Sequence, residues 1–483
     1  MIEQEWLFQQ RKEFPFTPTP EQEAAMHTFA EFMTYGDDRS VMILRGSAGT
    51  GKTVLASAIV RAIAALRQKV VLLAPTGRAA KVFTLNSGHE AFTIHRKIYR
   101  QKTLTAEMGE FTLNDNLYHD TLFMVDEASM IANAGASPSG FGSGRLLDDL
   151  VAFVFAGRNC RLMLIGDKAQ LPPIGEEDSP ALSQTKLAGY GLQTFCCELN
   201  EVLRQSMQSG ILFNATRIRQ MLVSDQVTAL PKVRFSAFAD IVMVPGNELI
   251  EALETSYHHV GHDGTIVITR SNKRANVFNM GIRNSILGYE EELCSGDRLM
   301  VVKNNYYWAE KEKLPVGFIA NGDSARVVRV RRIHTLYGFR FAEVWLRFTD
   351  YDDLELQATV LLDTLSAEAP ALTREQNEQL FNGVMADYDD VPLKADRIKQ
   401  MRADNHFNAL QVKYAYAVTC HKAQGGQWQH VYVDQGYMTD DMLTPDYLHW
   451  LYTAFTRATE KLFLVNWPKT QTDHESVNKE NKR

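Results

Sequence analysis

A glycine-rich loop with a lysine and a hydroxyl at fixed spacing has the clearest chemistry in this 483-residue sequence. The segment 46–53, GSAGTGKT, satisfies the pattern GxxxxGK[ST]. Glycines in this pattern let backbone N–H groups curl around phosphate oxygens at the start of the next helix. Lys52 supplies a point charge for the β- and γ-phosphates, and the Thr53 hydroxyl is a ligand for Mg²⁺. The predicted nucleotide-binding residues of the loop are Gly46, Ser47, Ala48, Gly49, Thr50, Gly51, Lys52 and Thr53.

Two adjacent carboxylates are the candidates for metal binding and water activation. Asp126 and Glu127 directly follow the apolar run TLFMV. One carboxylate at such a strand end can hold Mg²⁺, and its neighbour can polarise the attacking water. An exposed acidic turn is the alternative, but a position close to a phosphate loop favours the catalytic interpretation.

The elements that position these residues are short, β-branched, apolar runs separated by segments of helical length. Runs that are apolar on both faces are typical of central strands in parallel sheets. The polar motifs follow these strands, at the carboxyl edge where ligands collect in α/β proteins. The predicted strands lie at 41–44, 70–74, 121–125, 161–165, 265–269, 414–419, 430–433 and 461–465.

The strands fall into two groups, which indicates two parallel-sheet domains, at 1–200 and at 201–321 with 406–467. The second is interrupted at 322–405, where two alternating runs flank a turn at Tyr337–Gly338 and predict an inserted β-barrel. A second hairpin is predicted at about 101–115. Residues 132–144 form a Gly/Ser/Ala-rich loop, and residues 468–483 are predicted to be a disordered tail.

Composition excludes several classes of protein but does not identify the binding partner. No apolar run is long enough to span a bilayer, and the N-terminus lacks the order of a secretory signal. The five cysteines fit neither a disulfide framework nor a zinc site, so we expect a reduced, cytoplasmic protein. The net charge of −7 does not exclude a nucleic-acid partner, because binding depends on local charge.

Five further motifs follow one another along the chain, and together they resemble the motif series of a known family. They are APTGRAA at 74–80, DEAS at 126–129, GDKAQLPP at 166–173, TCHKAQG at 419–425 and YTAFTRA at 452–458. With the phosphate loop, this series resembles the helicases of superfamily 1, in the 5′-to-3′ branch that contains RecD, Dda and the PIF-type proteins. The resemblance spans about residues 19–467.

The resemblance implies an α/β fold with two RecA-like parallel-sheet domains, an inserted β-hairpin pin and an inserted SH3-like β-barrel. It implies an ATP-dependent DNA helicase that moves 5′ to 3′ on single-stranded DNA and unwinds duplex, with ATP and Mg²⁺ as cofactors. Single-stranded and fork DNA are the implied partners. Replication and repair proteins are candidate partners, and we expect a monomer without membrane attachment.

The resemblance also assigns roles at the matching positions of the ATP site. Gln22, in the segment TPEQ, would read the adenine, and Gln170 would sense the γ-phosphate. Arg204 and Arg457 would contact the γ-phosphate from the second domain, although an arginine on a helix is more often solvated or ion-paired. The implied catalytic residues are Lys52, Asp126, Glu127, Gln170, Arg204 and Arg457, with Thr53 and Asp126 as Mg²⁺ ligands.

The resemblance also implies DNA contacts. Most of them are polar groups that would bind the DNA backbone without recognising the base sequence. His95 and His421 have an alternative as buried core histidines, and Phe111, the candidate wedge of the hairpin pin, has one as a packing residue. The implied DNA-binding residues are Pro75, Thr76, Thr93, His95, Phe111, Asn272, Thr419 and His421.

Two other functions stay open from the sequence. A 5′-to-3′ RNA helicase or translocase has the same motifs, because phosphate tracking does not distinguish the sugars. A phosphate-loop ATPase that acts as a switch or loader needs the same loop but separates no strands.

Overall fold

The computed structural model describes residues 2–101, 111–134, 142–201, 209–224, 229–236, 238–314, 318–349, 351 and 353–473. Within these ranges the chain forms two parallel sheets, a closed barrel and a small two-stranded hairpin. The predicted turn of the 101–115 hairpin, most of the 132–144 loop, Arg204 and the end of the predicted tail lie outside the described residues.

The first half of the chain builds a six-stranded sheet from described residues, in the order β3-β2-β6-β7-β1-β8, with all neighbouring pairs parallel. Its elements are α1 (Ile2–Glu13), α2 (Pro20–Tyr35), β1 (Ser40–Gly46), α3 (Lys52–Ala65), β2 (Lys69–Ala74), α4 (Gly77–Ser87), β3 (Ala91–Thr93), α5 (Ile94–Ile98), β4 (Tyr99–Gln101), β5 (Phe111–Leu113), β6 (Thr121–Val125), α6 (Leu146–Ala156), β7 (Arg161–Gly166), α7 (Gln184–Ala188) and β8 (Gln193–Leu199).

The central strands are apolar on both faces because helices cover both sides of the sheet. On β6, Phe123 and Val125 pack into one hydrophobic core. Their neighbours Leu122 and Met124 pack into a second core on the opposite face, with residues of α2 and α3. Successive side chains of a strand point to opposite faces of the sheet. A strand can therefore contribute to two cores only if both of its faces are apolar.

The second half builds a five-stranded parallel sheet in the order β16-β10-β17-β18-β9 and a closed barrel of β11 to β15. Its elements are α8 (Gly210–Val223), β9 (Ile241–Val244), α9 (Leu249–Val260), β10 (Thr265–Thr269), α10 (Asn272–Gly281), β11 (Arg298–Val301), α11 (Tyr307–Lys311), β12 (Ser324–Leu336), β13 (Phe339–Phe348), β14 (Leu354–Leu361), α12 (Arg374–Ala386), α13 (Lys394–Arg402), β15 (Leu410–Tyr414), β16 (Ala417–Thr419), α14 (Cys420–Ala423), β17 (Trp428–Asp434), α15 (Pro445–Phe455) and β18 (Ala458–Val465).

The barrel contains the predicted hairpin, whose turn residues Tyr337 and Gly338 have φ angles of 55° and 81°. Two consecutive positive φ angles are the signature of a type I′ hairpin turn. The barrel also takes β11 and β15 from outside the range 322–405, and it inserts α12 and α13 before β15. The predicted fold class of two RecA-like sheets with an inserted barrel is thus confirmed, while the domain boundaries stay predictions.

One apolar run, YAYAVT, contributes residues both to the barrel and to the second parallel sheet. Tyr414 ends β15 in the barrel, and Ala417 begins β16 in the second sheet. The prediction of a single strand at 414–419 was therefore wrong. The turn between the two strands is buried, so its residues are as apolar as the strands they join.

The chain is ordered beyond residue 467, where the disordered tail was predicted to begin. Lys469–Gln471 form a short 3₁₀ helix, and Thr472 bridges to Val233. Gln471 is buried and accepts a hydrogen bond at 2.7 Å from Gln435 Nε2. This contact fixes the end of the described chain on the second sheet domain.

A buried ion pair joins the second sheet to the barrel, and its removal is expected to be strongly destabilising. Arg283 Nε and Nη2 donate to Asp297 at 2.8 and 2.9 Å, and Tyr416 Oη donates to the same carboxylate at 3.0 Å. Because Asp297→Asn leaves the buried guanidinium without its counter-charge, we expect a loss of about 3–5 kcal/mol in the free energy of unfolding. Urea denaturation followed by tryptophan fluorescence measures this loss.

Asp263→Asn is the matched control, because Asp263 is 65% exposed and pairs with Arg298 at 3.4 Å. Although Arg298 is buried, the Asp263 carboxylate is mostly solvated, so we expect its replacement to cost at most about 1 kcal/mol. Equal losses in the two variants would contradict the structural role assigned to Asp297.

Candidate active site between the two sheets

The predicted phosphate loop lies between β1 and α3. Gly49 and Gly51 have φ angles of 78° and 82°, in the left-handed region that favours glycine. Lys52 Nζ donates to the carbonyl oxygens of Gly46 at 2.6 Å and Ser47 at 2.8 Å. The ammonium is therefore folded over the loop, beside the backbone that the pattern predicts to hold phosphate.

Gln22 lies against the same loop from the first turn of α2. It completes a capping box with Thr19, whose backbone N–H donates to Gln22 Oε1 at 3.0 Å. Its Nε2 donates to the carbonyl oxygen of Thr50 at 2.9 Å. The side chain is thus fixed next to the loop and keeps one N–H and one lone pair for a ligand.

The paired carboxylates follow β6, the strand two places from β1 in the sheet. Asp126 Oδ1 accepts from the backbone N–H of Glu127 at 2.8 Å, and Glu127 has a φ angle of 51°. Burial, followed by the charge of Glu127, raises the pKa of the Asp126 carboxyl to about 7. A cation beside Asp126 would favour its charged form and offset this shift.

The loop after β7 contributes two buried polar side chains. Asp167 accepts from the backbone N–H of Ala169 at 2.9 Å. Gln170 is also buried, and its Oε1 has no hydrogen-bond partner among the described residues. A buried amide oxygen without a partner is costly unless a ligand or water satisfies it.

Arg457 comes from the second half of the chain and reaches the carboxylates of the first. It is 3% exposed and donates to the carbonyl oxygens of Gly426 and Thr453, each at 3.2 Å. Its Nη1 lies 3.9 Å from Glu127 Oε1. Arg204, the other predicted arginine, lies outside the described residues.

Two contacts between the halves were missed from the sequence. Arg219, on α8, donates to Ser47 Oγ at 3.1 Å. Tyr452, on α15, accepts from the backbone N–H of Ala48 at 2.9 Å. Tyr452 lies in a motif that the sequence already marked, whereas nothing in the pattern around Arg219 distinguishes it from a solvated helical arginine.

Most of the predicted nucleic-acid residues collect at the carboxyl ends of the two sheets. Thr76 follows β2 and Thr93 ends β3, and both cap the next helices, accepting from the N–H groups of Ala79 and Arg96 at 3.2 Å each. Pro75 is half-buried beside Thr76. A Cβ added to Gly425 would lie 3.0 Å from Thr76 Oγ1, so the two halves meet closely here.

The other three polar candidates belong to the second half. Thr419 ends β16, and His421 is exposed in the short helix that follows. Asn272 begins α10 and donates to the carbonyl oxygen of Glu368 at 3.1 Å. The exposed position of His421 does not fit the alternative of a buried core histidine.

His95 is half-buried, and Phe111 is more enclosed than a simple surface contact requires. Burial lowers the pKa of His95 to about 4, so the imidazole is neutral at pH 7. Phe111 is 9% exposed, and its ring centroid lies 4.1 Å from that of Tyr306. A wedge role for Phe111 therefore needs the hairpin to separate from Tyr306.

Among the described residues, no group of three or more His, Cys, Asp or Glu side chains is arranged to hold a metal ion. The hydroxyl of Thr53 and the carboxylate of Asp126 fit Mg²⁺ held mainly by phosphate and water, because this ion keeps few protein ligands. No helix in the described ranges is both long and apolar enough to cross a membrane.

Comparisons with known proteins agree with this site. Residues 17–230 match the family described as AAA domain, and residues 414–465 match the UvrD-like helicase C-terminal domain. The first match contains the phosphate loop, the carboxylates and Gln170, and the second contains Arg457.

Among curated proteins, the chain is 30% identical over 173 residues to the ATP-dependent RecD2 DNA helicase of Deinococcus radiodurans, covering 36% of this chain and 21% of that protein. It is 25% identical over 242 residues to the ATP-dependent DNA helicase RRM3 of Saccharomyces cerevisiae, covering 46% of this chain and 28% of that protein. The chain thus spans less than a third of the length of either relative.

Among solved structures, Pif1 helicase from Bacteroides in complex with ADP-AlF3 and ssDNA is 15% identical, with a TM-score of 0.46 and 95% of each chain covered. The two matched domains follow each other in the same order as the motifs of the site. Together with the RecD2 likeness, they support the resemblance of this chain to superfamily 1 proteins of the RecD and PIF helicase type.

Proposed function

We propose that this protein is an ATP-dependent DNA helicase that translocates 5′ to 3′ on single-stranded DNA and unwinds duplex, powered by hydrolysis of Mg-ATP between its two sheets. The observation that carries the proposal is the approach of Arg457 Nη1 to within 3.9 Å of Glu127 Oε1. A cation from one half and a carboxylate from the other meet beside a phosphate loop, as transfer of a phosphoryl group requires.

In this proposal the side chains of the first sheet bind and position the nucleotide. Gln22 contacts the adenine, and Lys52 neutralises phosphate charge. Thr53 and Asp126 hold Mg²⁺, which when bound supplies charge neutralisation at the phosphates. The fit rests on the donor chemistry, a hydroxyl and a carboxylate oxygen, with Thr53 exposed at the start of α3 and Asp126 directly after β6.

The remaining groups act on the transferring phosphoryl group. Glu127 accepts a proton from the attacking water, and Gln170 donates to the γ-phosphate. Arg457 stabilises the charge that spreads over the phosphoryl oxygens in the transition state, as an arginine finger does. Arg204 would add a second cation from the second sheet domain.

The proposed DNA path runs along the carboxyl ends of both sheets. Support comes from the hydroxyls that gather there and from the 3.0 Å approach of a Cβ on Gly425 to Thr76 Oγ1. Polar groups and helix starts at such an edge suit phosphates and sugars rather than base edges. Curated relatives are named DNA helicases, which favours single-stranded and fork DNA as ligands.

Several finer features belong to the same proposal. The β4–β5 hairpin would be the pin that separates strands, with Phe111 as its wedge. We further propose a cytoplasmic monomer with domain limits at about residues 200, 321 and 405, which meets replication or repair proteins in the cell.

The first experiment measures unwinding of a duplex with a single-stranded tail at its 5′ or its 3′ end. With ATP, we expect strand separation from the 5′ tail alone and none with the Lys52→Ala variant. Unwinding from the 3′ tail alone would support the motor function but contradict the proposed 5′-to-3′ polarity. Absence of unwinding from both substrates, despite ATP hydrolysis stimulated by DNA, would favour the loader or switch.

RNA is the second candidate strand, because backbone contacts at a sheet edge do not by themselves distinguish the sugars. Stimulation of ATP hydrolysis by single-stranded DNA but not by an RNA of the same sequence supports the DNA motor. Equal stimulation by both would favour a translocase without sugar selectivity.

A further inference from the structure

The hydroxyl of Tyr452 forms a bridge across the cleft between the two sheets. It accepts a hydrogen bond from the backbone N–H of Ala48, in the phosphate loop, at 2.9 Å. It donates to Asp167 Oδ2, in the loop after β7, at 2.5 Å. One phenol from the second half thus joins the two loops of the first half that enclose the phosphate site.

The bridge is buried, which makes its hydrogen bonds specific. Tyr452 is 1% exposed and Asp167 is 3% exposed. Burial, together with the charge of Asp167, raises the pKa of Tyr452 well above its usual value, so the phenol stays neutral and keeps its proton for Asp167. A hydrogen bond to a buried carboxylate is stronger than one between neutral groups.

Two further contacts place the same helix against the loop after β7, and a third comes from Gln424, which directly follows α14. Thr453 Oγ1 accepts from the backbone N–H of Leu171 at 2.7 Å, and His449 Nδ1 lies 2.9 Å from the carbonyl oxygen of Ala169. Residues 449, 452 and 453 are spaced to lie on one face of α15. Gln424 Nε2 donates to the carbonyl oxygen of Leu171 at 2.7 Å.

The same helix also fixes Arg457. Arg457 Nε donates to the carbonyl oxygen of Thr453, the residue next to Tyr452. A displacement of Tyr452 away from Ala48 therefore moves the backbone that holds the guanidinium near Glu127. We therefore expect closure of the cleft and placement of the arginine to be coupled.

We propose that Tyr452 is a positioning residue of the ATPase site, whose hydroxyl bridge from Ala48 to Asp167 closes the second sheet onto the phosphate loop and thereby sets the place of Arg457. The inference rests on the proposed ATPase function. It assigns Tyr452 no contact with the nucleotide, so its effect should fall on turnover and not on affinity.

The test compares Tyr452→Phe with wild type in two measurements. In the DNA-stimulated ATPase assay at saturating ATP, kcat is expected to fall by about tenfold or more, the size of a lost hydrogen bond to a charged group. The Kd for a fluorescent ADP analogue is expected to change by less than about threefold. A kcat within twofold of wild type, or a Kd that weakens as much as kcat falls, overturns the proposal.

Tyr447→Phe is the matched control, since Tyr447 is buried on the same helix and donates to Gln435 at 2.5 Å, away from the phosphate loop. It should leave kcat unchanged. An equal fall of kcat in both variants would mean that any buried hydroxyl lost from α15 has this effect, which overturns the specific role.

A double variant tests whether Tyr452 acts through Arg457. Because a positioning residue adds nothing once its target is gone, Tyr452→Phe with Arg457→Ala should have nearly the kcat of Arg457→Ala alone. Full additivity of the two losses contradicts the proposal.

Thr453→Val supplies a second route if Tyr452→Phe does not fold. It removes the bond to Leu171 and keeps the shape of the side chain, so kcat should fall in the same direction with Kd unchanged. A Thr453→Val kcat equal to wild type would overturn the proposal in that case. A wild-type protein without any ATP hydrolysis would instead contradict the proposed function itself.

Discussion

Replacing Lys52 by alanine is expected to lower ATP hydrolysis by at least about 10²–10³-fold, the cost of one electrostatic group at a charged transition state. The ammonium donates to two carbonyl oxygens of the phosphate loop, those of Gly46 and Ser47, at 2.6 and 2.8 Å. It therefore lies where it can exchange these weak partners for phosphate oxygens. Alanine supplies no charge there, so the transition state loses its contact while the loop keeps its glycines.

The fold should survive this substitution, because α3 packs through other residues. Leu55, Ile59 and Ile63 of the same helix are fully buried in the first domain. Thermal melting by circular dichroism checks the fold, and a DNA-stimulated ATPase assay measures the loss. Arg61→Ala is the matched control, since Arg61 lies on α3 and pairs with Glu13 at 3.6 Å. A rate of ATP hydrolysis in Lys52→Ala within about fivefold of wild type would contradict the active-site assignment.

Replacing Arg457 by alanine is expected to lower kcat by about 10³–10⁵-fold, the range of an arginine finger. Binding of nucleotide should change only a few-fold, because the loop and Gln22 belong to the first sheet domain. The guanidinium is positioned by two carbonyl oxygens and reaches within 3.9 Å of Glu127 Oε1. In the proposed site, its charge would reach the phosphoryl group without a large rearrangement.

Arg457→Lys separates charge from geometry in this experiment. Lysine keeps a positive charge but lacks the planar fork that satisfies both carbonyls and a ligand together. We expect it to recover part of the lost turnover and to remain at least about tenfold below wild type. Titration with a fluorescent ADP analogue measures nucleotide affinity in the same variants. Equal losses of binding and turnover in Arg457→Ala would mean that the arginine only holds the fold.

The first sheet and the places of its candidate site residues followed from local sequence, because those residues lie in short segments next to predicted strands. The loop GSAGTGKT, the carboxylates after TLFMV and the motif GDKAQLPP after RLMLI each directly follow a predicted strand. A parallel sheet gathers strand ends at one edge, so a residue directly after a central strand is placed by the fold class alone. The confirmed prediction of two sheets and a barrel rests on the same periodicity.

Long-range contacts were not accessible in this way. The run YAYAVT is uniformly apolar, yet it divides between the barrel and the second sheet. Apolar periodicity reports that a residue is buried and not which core buries it. For the same reason the sequence did not show that Phe111 packs against Tyr306, which is far away in the chain.

By itself, the sequence determined the phosphate loop, the order of the motifs and the alternation that builds two sheets, because these depend on neighbours within a few residues. Only the tertiary structure decided which groups meet across the cleft. Arg457 reaches Glu127, Arg219 reaches Ser47, and Tyr452 joins Ala48 to Asp167. The physical reason is that each of these contacts joins residues more than 170 positions apart, and no local pattern encodes the relative placement of two separately folded sheets.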